Sequence, residues 1–158
     1  DIDYMYVDMP PGTGDIQLTL SQQVPLTGAV VVTTPQDIAL IDAKKGLRMF
    51  QKVNVPILGI IENMSVLICP HCGEVEHIFG EGGAKRMSEQ YGVPLLGELP
   101  LSAKIREQAD SGLPTVAAEP GGKEALMYRE MAMKVAGALA RITKDYTAKM
   151  PGIRVVND

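Results

Sequence analysis

The run GAVVVTT at residues 28–34 limits what this chain can fold into more sharply than any other stretch. β-Branched side chains favour extended backbone, and an apolar run without polar alternation suits a strand covered on both faces, as in a parallel sheet. Residues 56–64 (PILGIIENM) form a second run of the same kind. Parallel neighbours need a crossover, and residues 37–53 between them predict a helix with Ile38, Ile41, Leu47 and Phe50 as core positions. Residues 2–7 (IDYMYV) read as another buried strand, ending at Asp8, and residues 95–99 as a further short one. Further helices are predicted over residues 15–24, with Ile16, Leu20 and Val24 on one face, and over 82–91. Another spans 102–111 with Ser102 as N-cap. A long C-terminal helix over 121–144 carries Ala132, Ala136, Ala138 and Ala140 for close packing. The alternation predicts an α/β fold: a doubly wound, mostly parallel sheet with helices on both faces. The 158 residues suit one domain over 1–145 and a frayed tail over 146–158.

Residues 65–80 break this rhythm. They hold both cysteines and both histidines without a clear period, and read as an excursion from the sheet. Aromatic residues are 4% of the chain and Trp is absent, so aliphatics and nine Met must fill the core. A net charge of −4 shows no excess of Lys and Arg of the kind a nucleic-acid-binding face carries. No apolar run reaches the roughly 18 residues of a membrane span. Two closely spaced cysteines do not make a secreted disulfide framework and suit a reducing cytoplasm. A chain that opens on Asp1 and enters a strand at once reads as part of a longer protein.

Two motifs carry chemistry. In VDMPPGTGD, residues 7–15, an acidic residue at a strand end is placed to hold water on Mg²⁺. Gly12 and Gly14 tolerate the dihedrals that turn N–H groups toward a phosphate. On chemistry alone, Asp8 capping a turn is an equal reading. In CPHCG, residues 69–73, two thiolates at C-x-x-C spacing can hold one soft metal or one cluster iron. Such sites usually want four protein ligands, and a two-fold dimer would supply the other pair. His71 and His77 offer an alternative zinc site within one chain, although the spacing is compressed. A redox pair or two idle thiols are weaker alternatives.

The first motif resembles the switch II segment of MinD/ParA-type deviant P-loop ATPases, and its paired Pro with Gly-Thr-Gly-Asp resembles the Mrp (ApbC-like) branch. The second resembles the same branch, where a C-x-x-C follows a strand ending in Glu-Asn-Met-Ser, here Glu62 to Ser65. The resemblance covers residues 3–141. It implies that Asp8 is the Walker B carboxylate and that the Gly12 backbone faces the γ-phosphate. At the end of its strand the Asn63 amide can read the adenine edge with one donor and one acceptor, and bonding its own local backbone is an equal reading. The resemblance also implies that the segment ending at Pro100 lies against the adenine. Cys69 and Cys72 would bridge a [4Fe-4S] cluster across a homodimer, with zinc as a substitute. The implied function is an ATP-dependent, cytoplasmic carrier that hydrolyses ATP and passes clusters to apo-protein clients, with no membrane or nucleic-acid partner. The runner-up is a structural zinc-binding α/β module. A membrane-positioning ATPase of the MinD type fits less well, because the short tail 146–158 carries Pro151 and Gly152.

The G-x-x-x-x-G-K-[ST] loop of P-loop ATPases does not occur in this sequence. The nearest fragment, GEGGAK at residues 80–85, lacks the Ser or Thr and follows no buried strand. In the family the P-loop and the strand before it lie upstream. These residues alone are therefore expected to hydrolyse ATP poorly or not at all. A sheet missing its central strand is expected to expose two unpaired edges and to exchange partners or oligomerise.

Overall fold

The computed structural model describes residues 2–10 and 14–142. Its sheet contains β1 (Ala29–Thr33), β2 (Ile57–Glu62) and β5 (Leu95–Glu98), all parallel, in the order β1-β2-β5. Both expected β-branched or apolar runs are strands, and β2 lies between the other two. Each crossover is helical: α2 (Asp37–Lys52) joins β1 to β2, and α3 (Gly83–Tyr91) precedes β5. After β5 come α4 (Ala103–Asp110), the short α5 (Thr115–Ala118) and α6 (Lys123–Leu139). Ser102 is the N-cap of α4, its hydroxyl accepting the Ile105 N–H at 3.4 Å.

Helices cover both faces, and two clusters record this. On one face Val31 and Ile60 pack against Leu40 and Leu47 of α2 and Ala84 and Met87 of α3. On the other, Leu58 and Leu96 pack against Val135 of α6, with Val30, Ile61, Ala138 and Leu139 around them. Against β1 the register slips between Ala29 and Val30, which pair with Ile57 and Gly59, so Leu58 is an extra residue and serves the face opposite to Ile60. Against β5 a second slip leaves Leu96 extra between the partners of Ile60 and Ile61. Gly59 permits the approach of β5. A Cβ there would lie 2.6 Å from the Pro94 carbonyl oxygen and 2.5 Å from Leu96 Cγ.

Several sequence expectations are corrected. Residues 2–10 form no strand, and Ile2, Met5 and Tyr6 are exposed. A strand's backbone polar groups need a neighbour to bond, and no described strand pairs with this segment. It passes instead over a cavity of ≈ 360 Å³ lined by Val30, Phe50, Leu58, Val135 and Leu139. In α2, Leu40 and Leu47 are buried while Ile38 and Ile41 are exposed, because the helix presents one stripe to the sheet. In α1 (Asp15–Gln23), Gln17 and Ser21 are the buried residues and Ile16 is exposed. Gln17 Nε2 donates to the Pro10 carbonyl at 2.9 Å, which draws that face inward. In α6, Met131 and Val135 fill the interface and Ala132 is exposed. The predicted tail lies outside the described residues.

Candidate functional site

The site is built from the C-terminal ends of the three strands and from a hairpin that rises beside them. At the end of β1, Thr33 is buried and its carbonyl accepts the Asn63 N–H at 2.7 Å. Beyond it, the Thr34 hydroxyl bonds the Gln36 side chain at the start of α2. At the end of β2, Asn63 Oδ1 accepts the N–H of Met64 at 3.0 Å. Met64 itself has φ +56°, a left-handed conformation uncommon outside glycine. At the end of β5, Leu99 N–H donates to the Glu62 carbonyl at 2.8 Å, and Pro100 follows. The fold thus sets Asn63 and Pro100 on adjacent strand ends, where open α/β sheets keep their ligand crevice.

The excursion at residues 65–80 contains an antiparallel hairpin, β3 (Leu67–Ile68) with β4 (Val75–Glu76). Cys69 to Gly73 form its tip. Cys69 N–H donates to the Glu74 carbonyl and Gly73 N–H to the Cys69 carbonyl, both at 2.9 Å. This turn brings the two thiols together. Cys72 is exposed, Cys69 partly so, and neither is in a disulfide. The backbone N–H of Cys72, then that of His71 and the Cys72 thiol, hydrogen-bond the Cys69 sulfur and lower its pKa, against opposing effects of partial burial and Glu76. Hydrogen bonds to the charged form favour that form, and the thiolate is the metal ligand.

Among the described residues no three His, Cys, Asp or Glu side chains lie close enough to hold a metal. His71 is exposed, and His77 lies 3.9 Å from Glu81. The single-chain zinc site suggested by His71 and His77 is therefore not assembled here. Asp8 is exposed in the irregular N-terminal segment and ends no described strand, and Gly12 lies outside the described residues. The fragment at residues 80–85 is no phosphate loop: Gly83 begins α3, and Lys85 is exposed on it. A cleft of ≈ 410 Å³ beside the hairpin is lined by Glu62, Ser65, Ile68, Lys85, Pro100 and Lys123, among others. Sequence reasoning missed Glu62 and Ser65, both buried polar residues at the hairpin's roots. Their signal was a carboxylate and a hydroxyl closing an otherwise apolar strand. No described helix is long and apolar enough to cross a membrane.

Residues 1–136 match the family described as ParA: NUBPL iron-transfer P-loop NTPase. An iron-sulfur cluster carrier protein of Pseudomonas fragi is 60% identical over 133 residues, which are 84% of this chain and 46% of that protein. The iron-sulfur cluster transfer protein NUBPL of Mus musculus is 53% identical over 134 residues, 85% of this chain and 42% of that one. The chain therefore spans less than half the length of these relatives. Among solved structures, a nucleotide-binding protein from Archaeoglobus fulgidus in complex with ADP matches with TM-score 0.59 and 37% identity, covering 66% of this chain and 43% of that one.

Proposed function

This chain belongs to the ParA-type family of iron-transfer P-loop NTPases, and on that premise we propose that the whole protein is an ATP-dependent carrier which holds a [4Fe-4S] cluster between two copies and passes it to apo-proteins. The observation that carries this reading is the hairpin tip, where one turn, closed by the bonds from Cys69 N–H to the Glu74 carbonyl and from Gly73 N–H to the Cys69 carbonyl, holds Cys69 and Cys72. Cubane clusters are held by four thiolates. One tip supplies two, and a two-fold axis supplies the copy of each. The exposure of the tip suits a cargo that must leave for another protein.

The strand ends supply the nucleotide half. Asn63 can offer its side-chain N–H groups to a base edge while its Oδ1 accepts the Met64 N–H, and Pro100 lies on the neighbouring strand end. Asp8 offers an exposed carboxylate, the donor type that Mg²⁺ prefers, and the Gly12 backbone is assigned to the γ-phosphate. ATP would supply the phosphoryl group that passes to water, with positioning and charge stabilisation providing most of the rate. Hydrolysis belongs to the whole protein, since no Walker A loop occurs in these 158 residues. The clients are apo-proteins that need a cluster, met in the cytoplasm without nucleic acid or membrane. Zinc can occupy the same thiol pair.

Anaerobic reconstitution with iron and sulfide tests the reading, run on the wild type and on Cys69→Ser/Cys72→Ser. The expected result is about one four-iron cluster per two chains, a dimeric mass in solution, and loss of both in the double variant. Zinc held at one per chain, with no cluster formed, would instead make the pair structural.

A further inference from the structure

The cysteine hairpin joins the sheet at two roots, and both are tied to the strand ends that carry Asn63 and Pro100. At the entry root Ser65 is buried and donates twice to the Leu99 carbonyl, from its N–H at 2.9 Å and its hydroxyl at 3.1 Å. Leu101 N–H then donates to the Val66 carbonyl at 2.8 Å, so Pro100 is bracketed by bonds to the hairpin's first residues. At the exit root the chain enters α3. There the Glu62 carboxylate, 1% exposed, accepts the Ala84 N–H at 2.6 Å.

That last bond is unusual in its origin. The first N–H groups of a helix lack partners within it, and the N-cap side chain commonly supplies one. Here the N-cap is Gly82, which has no side chain to offer. The cap comes from Glu62, 22 residues earlier in sequence, on another element and directly before Asn63. A carboxylate at this place also meets the positive end of the helix dipole. The exit root is pressed against the end of β1 as well. A Cβ on Gly83 would lie 3.0 Å from the Pro35 carbonyl oxygen and 2.8 Å from Leu40 Cδ1. The end of β2 cannot shift without pulling on the start of α3, and the hairpin hangs between them.

We propose that Glu62 is a positioning residue that couples the strand-end crevice to the cysteine hairpin, so that a nucleotide at Asn63 and Pro100 and a cluster at Cys69 and Cys72 alter each other's binding through the bond from Ala84 N–H to Glu62. The proposal rests on the function proposed above. Coupling of this kind is reciprocal, so it can be read from either ligand.

The experiment uses the whole protein, loaded or not loaded with iron and sulfide, and titrates it with MgATP in a calorimeter. In the wild type, loading is expected to change the ATP dissociation constant by about fivefold or more. Glu62→Gln keeps an acceptor of the same shape and should keep the coupling within about twofold. Glu62→Met keeps the size and removes the acceptor. It should bring the coupling factor close to one while its iron content stays at the wild-type level. A Glu62→Met protein with wild-type coupling overturns the proposal. A wild type that binds both ligands without mutual effect does the same. A wild type that takes up no cluster, or binds no ATP, overturns the proposed function instead, and the coupling with it. Should Glu62→Met fail to fold, amide exchange in the wild type decides. The Ala84 amide is expected to change its exchange rate severalfold on addition of MgATP, while core amides of α2 do not. Unchanged exchange at Ala84 would overturn the coupling.

Discussion

Leu47, Ile60 and Ala84 have no surface exposed to solvent, whereas every residue from 70 to 78 of the hairpin segment is exposed. The sheet and its helices are held by apolar burial on two faces. The hairpin is held by a few backbone bonds and by polar anchors at its roots, Ser65 and Glu62. The difference separates stability from chemistry. Substitutions at the exposed tip are expected to cost the fold little, while those in the buried layers are expected to cost it much.

The sharpest way to break this comparison is at the tip. Cys69→Ser/Cys72→Ser should lose all reconstituted iron and sulfide, yet shift unfolding free energy by no more than about 0.5 kcal/mol, as expected of surface changes. Denaturant titration of the metal-free proteins checks the second half. The reverse substitution in the layers is Leu47→Ala. It removes a side chain with 0% exposure packed between α2 and the sheet, and should cost about 3 kcal/mol through lost burial and a residual cavity. Gly59→Ala sharpens the comparison at the strand that joins the two regions. The added methyl would meet a backbone carbonyl oxygen at 2.6 Å, so about 1–3 kcal/mol should be lost to overpacking, again by denaturant titration.

Smaller effects follow. Ser102→Ala removes the cap of α4, whose bond is long at 3.4 Å, so the loss should sit near the low end for caps, about 0.5 kcal/mol. The last test reads the tip itself. Hydrogen bonds from the Cys72 and His71 N–H groups and the Cys72 thiol favour the Cys69 thiolate. Its pKa is lowered, so the nucleophilic form persists at pH values where an ordinary thiol is protonated. Alkylation of metal-free protein, followed by mass mapping, should therefore show Cys69 reacting with a midpoint below the usual thiol value. A midpoint at or above that value would mean that the tip does not organise its donors around Cys69.

Much of this was legible in the amino-acid order, because it depends on neighbours along the chain. The β-branched run 28–34 and the apolar run 56–64 are strands, and the helix between them is present within a residue of its expected limits. Ser102 caps its helix, and C-x-x-C spacing brings two thiols to one turn. What the tertiary structure decided depends on partners far away in sequence. Residues 2–7 are as apolar as a strand, but they pair with no described strand and remain exposed. The same periodicity that predicted α2 did not say which of its apolar residues faces the sheet, and Leu40 is buried where Ile38 was expected. Glu62 read as the end of a strand, and became the cap of a helix 22 residues later only when β2 and α3 were packed together. Local propensity and spacing write the elements. Backbone pairing and burial, which act only between elements already assembled, choose the faces, the edges and the anchors of the site.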